Sequence, residues 1–123
     1  MKYKKNKILI VDDSSLITER LILILKEHNN VGSINHSVSY TEALDLLTRL
    51  QFDIIFLDIN LPDTSGIKLL TPLKTKSPET VVIMFTNQGS QYYKNLCKSK
   101  GADYFIDKSK DIERISEIIS SLN

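Results

Sequence analysis

Short apolar runs alternate with amphipathic stretches along the chain. Ile8-Leu9-Ile10-Val11 and Ile54-Ile55-Phe56-Leu57 are too short for buried helices and rich in β-branched or aromatic residues. Each predicts a buried strand. Val81 to Phe85 predicts another, Tyr104 to Ile106 a short last one, and Val31 to Ser37 a weaker one. Between them the spacing becomes helical. Ile17, Leu21, Ile24 and Leu25 mark one face, Ala43, Leu47 and Leu50 a second. Ile67, Leu70 and Leu73 mark a third, and Ile112, Ile115, Ile119 and Leu122 the last.

Local signals place the boundaries. Ser39-Tyr40-Thr41-Glu42 is a capping-box pattern that opens the second helix. Pro62 and Gly66 punctuate a loop, and Pro72 inside the next helical pattern predicts a kink or an early end. Ser90 can cap a fourth helix that Gly101 terminates. Strand followed by helix, five times over, predicts an α/β fold: a doubly wound, five-stranded parallel sheet covered on both faces. Residues 1–123 read as one domain with no linker or repeat.

Composition narrows the function. A net charge of +1 gives no global pull toward nucleic acid or an acidic partner, so function must lie in local charge. Cys97 is the single cysteine, which rules out an internal disulfide and suits a reducing cytoplasm. The lysines near Met1 lead into a strand-like run ending in acids, not into a cleavage site. No apolar stretch is long enough to span a bilayer.

The candidate chemistry stands at the strand ends. The first strand runs into Asp12-Asp13 and the third into Asp58; the fourth ends at Thr86, and the fifth is followed by Asp107-Lys108. Each has an ordinary alternative: a turn aspartate, a strand-end threonine, a solvated lysine. Together they lie where an open parallel sheet places its ligand site, beyond the carboxyl ends of its strands. Carboxylates ~4 Å apart repel by about 4 kcal/mol per pair at an effective dielectric of 20, so gathering three calls for a cation. Hard oxygen ligands suit magnesium. A carboxylate can also attack a phosphoryl group and form an acyl phosphate. Such transfer needs positioning and charge neutralisation, which Asp12, Asp13, Lys108 and Thr86 could supply.

In order and spacing these residues resemble the receiver domain of bacterial two-component response regulators, a flavodoxin-like (βα)5 fold. The residues that carry the likeness are Asp12-Asp13, Asp58 with Leu61-Pro62 and Gly66, Thr86, Gly101-Ala102-Asp103-Tyr104 and Lys108. The resemblance implies that Asp58 is the phosphoacceptor. It implies magnesium on Asp13, Asp58 and the backbone carbonyl of Asn60, with Asp12 acting through water. Thr86 and Tyr104 would form a switch pair, and Lys108 would contact the phosphoryl group. The implied partners are a sensor histidine kinase or phosphotransfer protein and a downstream protein target. The implied role is signalling, not enzymatic turnover, in the cytoplasm. The expected form is a stand-alone receiver; the alternative is the receiver portion of a longer regulator, such as a DNA-binding one.

Two positions depart from the family pattern. Asn87 follows Thr86 where the family tends to have a smaller residue. Ser109 follows Lys108 where the family commonly has a proline with a cis bond. Without proline a cis bond costs ~2.5–4 kcal/mol, so a trans bond is expected, with Ser109 free to cap the last helix. His28 and His36 lack partners at zinc-ligand spacing. Cys97 reads as a small core residue, one of Tyr92 and Tyr93 as core, and Lys94, Lys98 and Lys100 as a solvated face. A flavodoxin-like cofactor binder would need a phosphate loop where Asp12 and Asp13 stand. A haloacid-dehalogenase-like phosphatase would place its nucleophile at the first strand, with a second aspartate two residues on.

Overall fold

Strands β1 (Asn6–Val11), β2 (Val31–Ser37), β3 (Ile54–Leu57), β4 (Val81–Thr86) and β5 (Tyr104–Asp107) make one sheet in the computed structural model, which describes residues 4–122. Every pairing is parallel and the order is β2-β1-β3-β4-β5. The connections are helices α1 (Ser15–Leu25), α2 (Tyr40–Arg49), α3 (Leu70–Lys76) and α4 (Gln91–Ser99), and α5 (Arg114–Ser121) closes the chain. β3 is apolar at every position, and β1 from Ile8 to Val11, because both faces are covered there. Ile8, Ile10, Ile54, Phe56, Ile83 and Phe85 pack toward Leu21 and Leu25 of α1 and Ile115 and Ile119 of α5. Leu9, Val11, Ile55, Leu57, Val82 and Met84 pack toward Ala43, Leu70, Leu73 and Cys97 on α2, α3 and α4.

The local signals act where the sequence places them. Ser39 Oγ accepts from Glu42 N at 3.1 Å and Ser90 Oγ from Tyr93 N at 3.3 Å, opening α2 and α4. Gly101, at φ +108°, turns the chain out of α4 in a conformation that side chains oppose. Around Pro72 the predicted helix is split: Gly66–Leu69 is a 3₁₀ turn, and α3 begins only at Leu70. Pro72 thus falls in the first turn of α3, where its missing N–H leaves no bond unmade.

Three expectations are corrected. Leu50 does not face the core; α2 ends at Arg49, and Leu50 is extended and 44% exposed. Ser109 does not cap α5. Its N–H and its hydroxyl both donate to Asp107 Oδ1, each at 2.8 Å, and α5 starts only at Arg114. The third correction concerns Tyr104 and is given with the site. The trans bond expected at Lys108–Ser109 is found; there is no cis peptide among the described residues.

Candidate functional site

The chain direction reverses its sheet order between β1 and β3, and the residues just beyond these two strands are Asp12-Asp13 and Asp58. The backbone continues the ladder one step past the strands. Asp58 N donates to Val11 O at 3.0 Å, and Asp12 N donates to Ser37 O at 3.0 Å. Lys108 N donates to Thr86 O at 3.1 Å, which carries the lysine in from the β5 side. One carboxylate oxygen from each of Asp12, Asp13 and Asp58 then falls within 4.8 Å of the others. Asp12 and Asp58 are buried and Asp13 is exposed.

Lys108, itself buried, reaches back over the Phe85 ring, with Nζ 5.8 Å from the centroid. Its ammonium donates to Asp58 Oδ2 at 2.8 Å and lies 2.6 Å from Asp12 Oδ2. Burial alone would lower the lysine's pKa, but contact with the two carboxylates outweighs it and holds Lys108 cationic. Burial pushes Asp12 above the usual carboxylate range, against the pull of Lys108 and of the Ser14 N–H. Asp12 Oδ1 accepts that N–H at 2.9 Å, whereas Oδ2 receives no well-aligned hydrogen bond despite the closeness of Lys108. Three carboxylates therefore face one ammonium, and a buried carboxylate oxygen lacks a hydrogen bond. An all-oxygen donor set with uncompensated negative charge fits a hard divalent cation such as magnesium.

The loop after β3 holds Asp58 from beneath. Asn60 N donates to Asp58 Oδ1 at 3.3 Å, and Asn60 pairs with Ser65 in an isolated antiparallel bridge. Gly66 N donates to Ile59 O at 2.7 Å. A Cβ on Gly66 would stand 1.9 Å from the Asp58 carbonyl oxygen, so only glycine fits the closed loop. Asp63, farther out on the loop, accepts from Tyr40 N, Thr41 N and the Thr41 hydroxyl. These bonds, chiefly from the Thr41 and Tyr40 N–H groups, lower its pKa to about 2.

Thr86 is fully buried at the end of β4, its Oγ1 accepting from Gln88 N at 3.3 Å. Tyr104 does not share its side of the sheet. Met84 is paired with Phe105 and Thr86 with Asp107, so Phe105 lies on the face of Met84 and Thr86. Tyr104 packs on the opposite face, with the α1 and α5 cluster. The half-buried β5 aromatic on Thr86's side is Phe105, with Lys94 Nζ 6.0 Å from its ring centroid. Strand alternation, counted back from Lys108, was the signal for this residue. His36 was also missed: its Nε2 lies 2.7 Å from the Asp12 carbonyl oxygen, a partner with no mark in sequence spacing.

The comparisons agree with this geometry. The family model described as the response regulator receiver domain matches residues 8–120. The transcriptional regulatory protein LytR of Staphylococcus aureus is 33% identical over 116 residues, covering 94% of this chain and 46% of LytR. The chain thus spans about half the length of the curated relatives it matches, an uncharacterized response regulatory protein of Vibrio cholerae among them at 47%. Among solved structures, a CheY-like response regulator receiver domain protein from Methanospirillum hungatei superposes with TM-score 0.84 at 27% identity, over 95% of this chain and 92% of that one. The BeF3-activated receiver domain of DrrB gives TM-score 0.84 at 25% identity, over 94% and 95%. A match running from β1 into α5, together with an acid and lysine edge at the strand ends, has one meaning: this chain belongs to the response regulator receiver domain family.

Proposed function

We propose that Asp58 accepts a phosphoryl group from a histidine kinase or phosphotransfer protein and that the acyl phosphate switches binding to a downstream protein. The observation that supports this most is the buried Asp58 carboxylate, aligned by Lys108 on Oδ2 and by the Asn60 N–H on Oδ1. An Asp58 oxygen bonds to phosphorus as the bond from phosphorus to the donor nitrogen breaks. The electron pair leaves with the donor imidazole, which takes up a proton. Lys108 holds the carboxylate before transfer and its ammonium can then pair with a phosphoryl oxygen. Thr86 would donate its hydroxyl to another. Asp13, Asp58 and the Asn60 carbonyl would hold magnesium, with Asp12 acting through water, and when bound the ion would supply positive charge beside the transferring group.

The switch aromatic is assigned to Phe105, on the face of Thr86, in place of Tyr104. The phosphodonor approaches over α1, whose first turn follows Asp13 directly and which exposes Leu16 and Leu23. Asp58 is a reactant in this scheme, so the domain signals and does not turn over substrate as an enzyme. No helix among the described residues is long and apolar enough to cross a membrane, and the proposed setting is the cytoplasm. A second reading makes the chain the receiver part of a longer, DNA-binding regulator. Coverage of only 46% of the transcriptional regulatory relative favours it, and the length of the full reading frame decides it. The functional test is uptake of phosphate from acetyl phosphate with magnesium and with chelator. Uptake should require magnesium; equal uptake in chelator would refute the scheme.

A further inference from the structure

We infer that His36 is a positioning residue for the metal-binding turn, acting through the main chain of Asp12. The inference rests on reading Asp12, Asp13 and Asp58 as a magnesium site. Along β2, Ile10 is paired with His36 and Val11 with Ser37, and the last ladder bond is Asp12 N to Ser37 O. The chain then leaves for α2, capped at Ser39, and among the described residues no backbone N–H reaches the Asp12 carbonyl. His36 supplies the missing donor, with Nε2 at 2.7 Å from that oxygen. A carbonyl only accepts, so Nε2 carries the proton. Buried Thr18 stands on the α1 side of the half-buried ring, its Oγ1 3.4 Å from the same nitrogen, where it can share the N–H only as a second, weaker acceptor.

The consequence falls on Asp13. The Asp12 carbonyl belongs to the peptide unit that leads into Asp13, so fixing its plane fixes where the exposed Asp13 side chain starts. The other bond that shapes this turn, Ser14 N to Asp12 Oδ1, lies within the turn itself. Lys108 reaches the Asp12 carboxylate from the end of β5, and His36 is the side chain that ties the Asp12 carbonyl to the sheet. Groups that orient metal ligands typically change metal affinity by about 10–100-fold when removed, and a main-chain restraint on an exposed ligand belongs at the lower end.

The test is magnesium titration of the phosphate-free protein, followed by the amide signals of Asp13 and Ser14, in wild type, His36→Phe and His36→Gln. Phe keeps the ring and loses the donor; the Gln amide nitrogen can replace Nε2. His36→Phe should bind magnesium about tenfold more weakly, and His36→Gln should stay within about twofold of wild type. Uptake of phosphate by His36→Phe should fall at low magnesium and recover at saturation. Equal affinity of His36→Phe and wild type would overturn the inference. So would an equal loss in His36→Gln, which would assign the effect to ring packing. Wild type that binds no magnesium would overturn the underlying reading as well. Imidazole nitrogen spectra of the wild type give an arm independent of the variants' folding. With the ring neutral they should show Nε2–H and a bare Nδ1, and the opposite tautomer would overturn the inference.

Discussion

Gly66→Ala tests how tightly the phosphoacceptor is held. The added Cβ would lie 1.9 Å from the Asp58 carbonyl oxygen and 3.0 Å from its carbonyl carbon. Real Cβ atoms stay about 3.0 Å or more from such an oxygen, so the loop or the end of β3 must move by roughly 1.1 Å. The contact is with backbone, so no side-chain rotation relieves it. The movement also strains the 2.7 Å bond from Gly66 N to Ile59 O. Overpacking of this kind costs about 1–3 kcal/mol, readable as a lower denaturant midpoint. The larger effect belongs to the chemistry. Displacing a reacting group by about 1 Å slows reaction by ~10²-fold, so phosphate uptake from acetyl phosphate should fall by that order in protein that is still folded. Uptake within about threefold of wild type by a folded Gly66→Ala protein would refute the claim that this loop fixes Asp58.

Two further outcomes are expected. The Asp63 carboxylate has a folded-state pKa of about 2, below its ordinary 3.8, so its contribution is present above the ordinary value and is lost as pH falls toward the folded one. Thermal unfolding should show wild type more stable than Asp63→Ala at neutral pH, with the gap closing between about pH 4 and pH 2; a constant gap would contradict a stabilising role for the bonds Asp63 accepts from Tyr40 and Thr41. On binding beryllofluoride with magnesium, the Phe105 ring signals should shift more than those of Tyr104, and Thr86→Ala should suppress the Phe105 response. A silent Phe105 beside a responding Tyr104 would restore the pairing read from the sequence.

Most of the fold was legible because each strand carries its own signal. Ile54 to Leu57 is apolar at every position only because the strand is covered on both faces. The site was legible for the same reason: a strand end fixes where Asp12, Asp58, Thr86 and Lys108 emerge. What failed depended on parity or on partners outside the pattern. Tyr104 and Phe105 are adjacent aromatics, and their order along the chain does not say which faces Thr86; the β4–β5 register does. Leu50 continued the helical spacing of Leu47, but the helix ends one residue before it. Ser109 has the chemistry of a cap, yet Asp107 two residues earlier captures its N–H and hydroxyl. His36 had no partner of its own kind because its partner is a peptide carbonyl.

The central claim is that Asp58 carries the phosphoryl group, and intact mass tests it most directly. Wild type and Asp58→Asn are incubated with acetyl phosphate and magnesium and weighed before the acyl phosphate hydrolyses. Wild type should gain one phosphoryl mass and Asp58→Asn none. Equal gain by both proteins would place the phosphoryl group elsewhere and contradict the account.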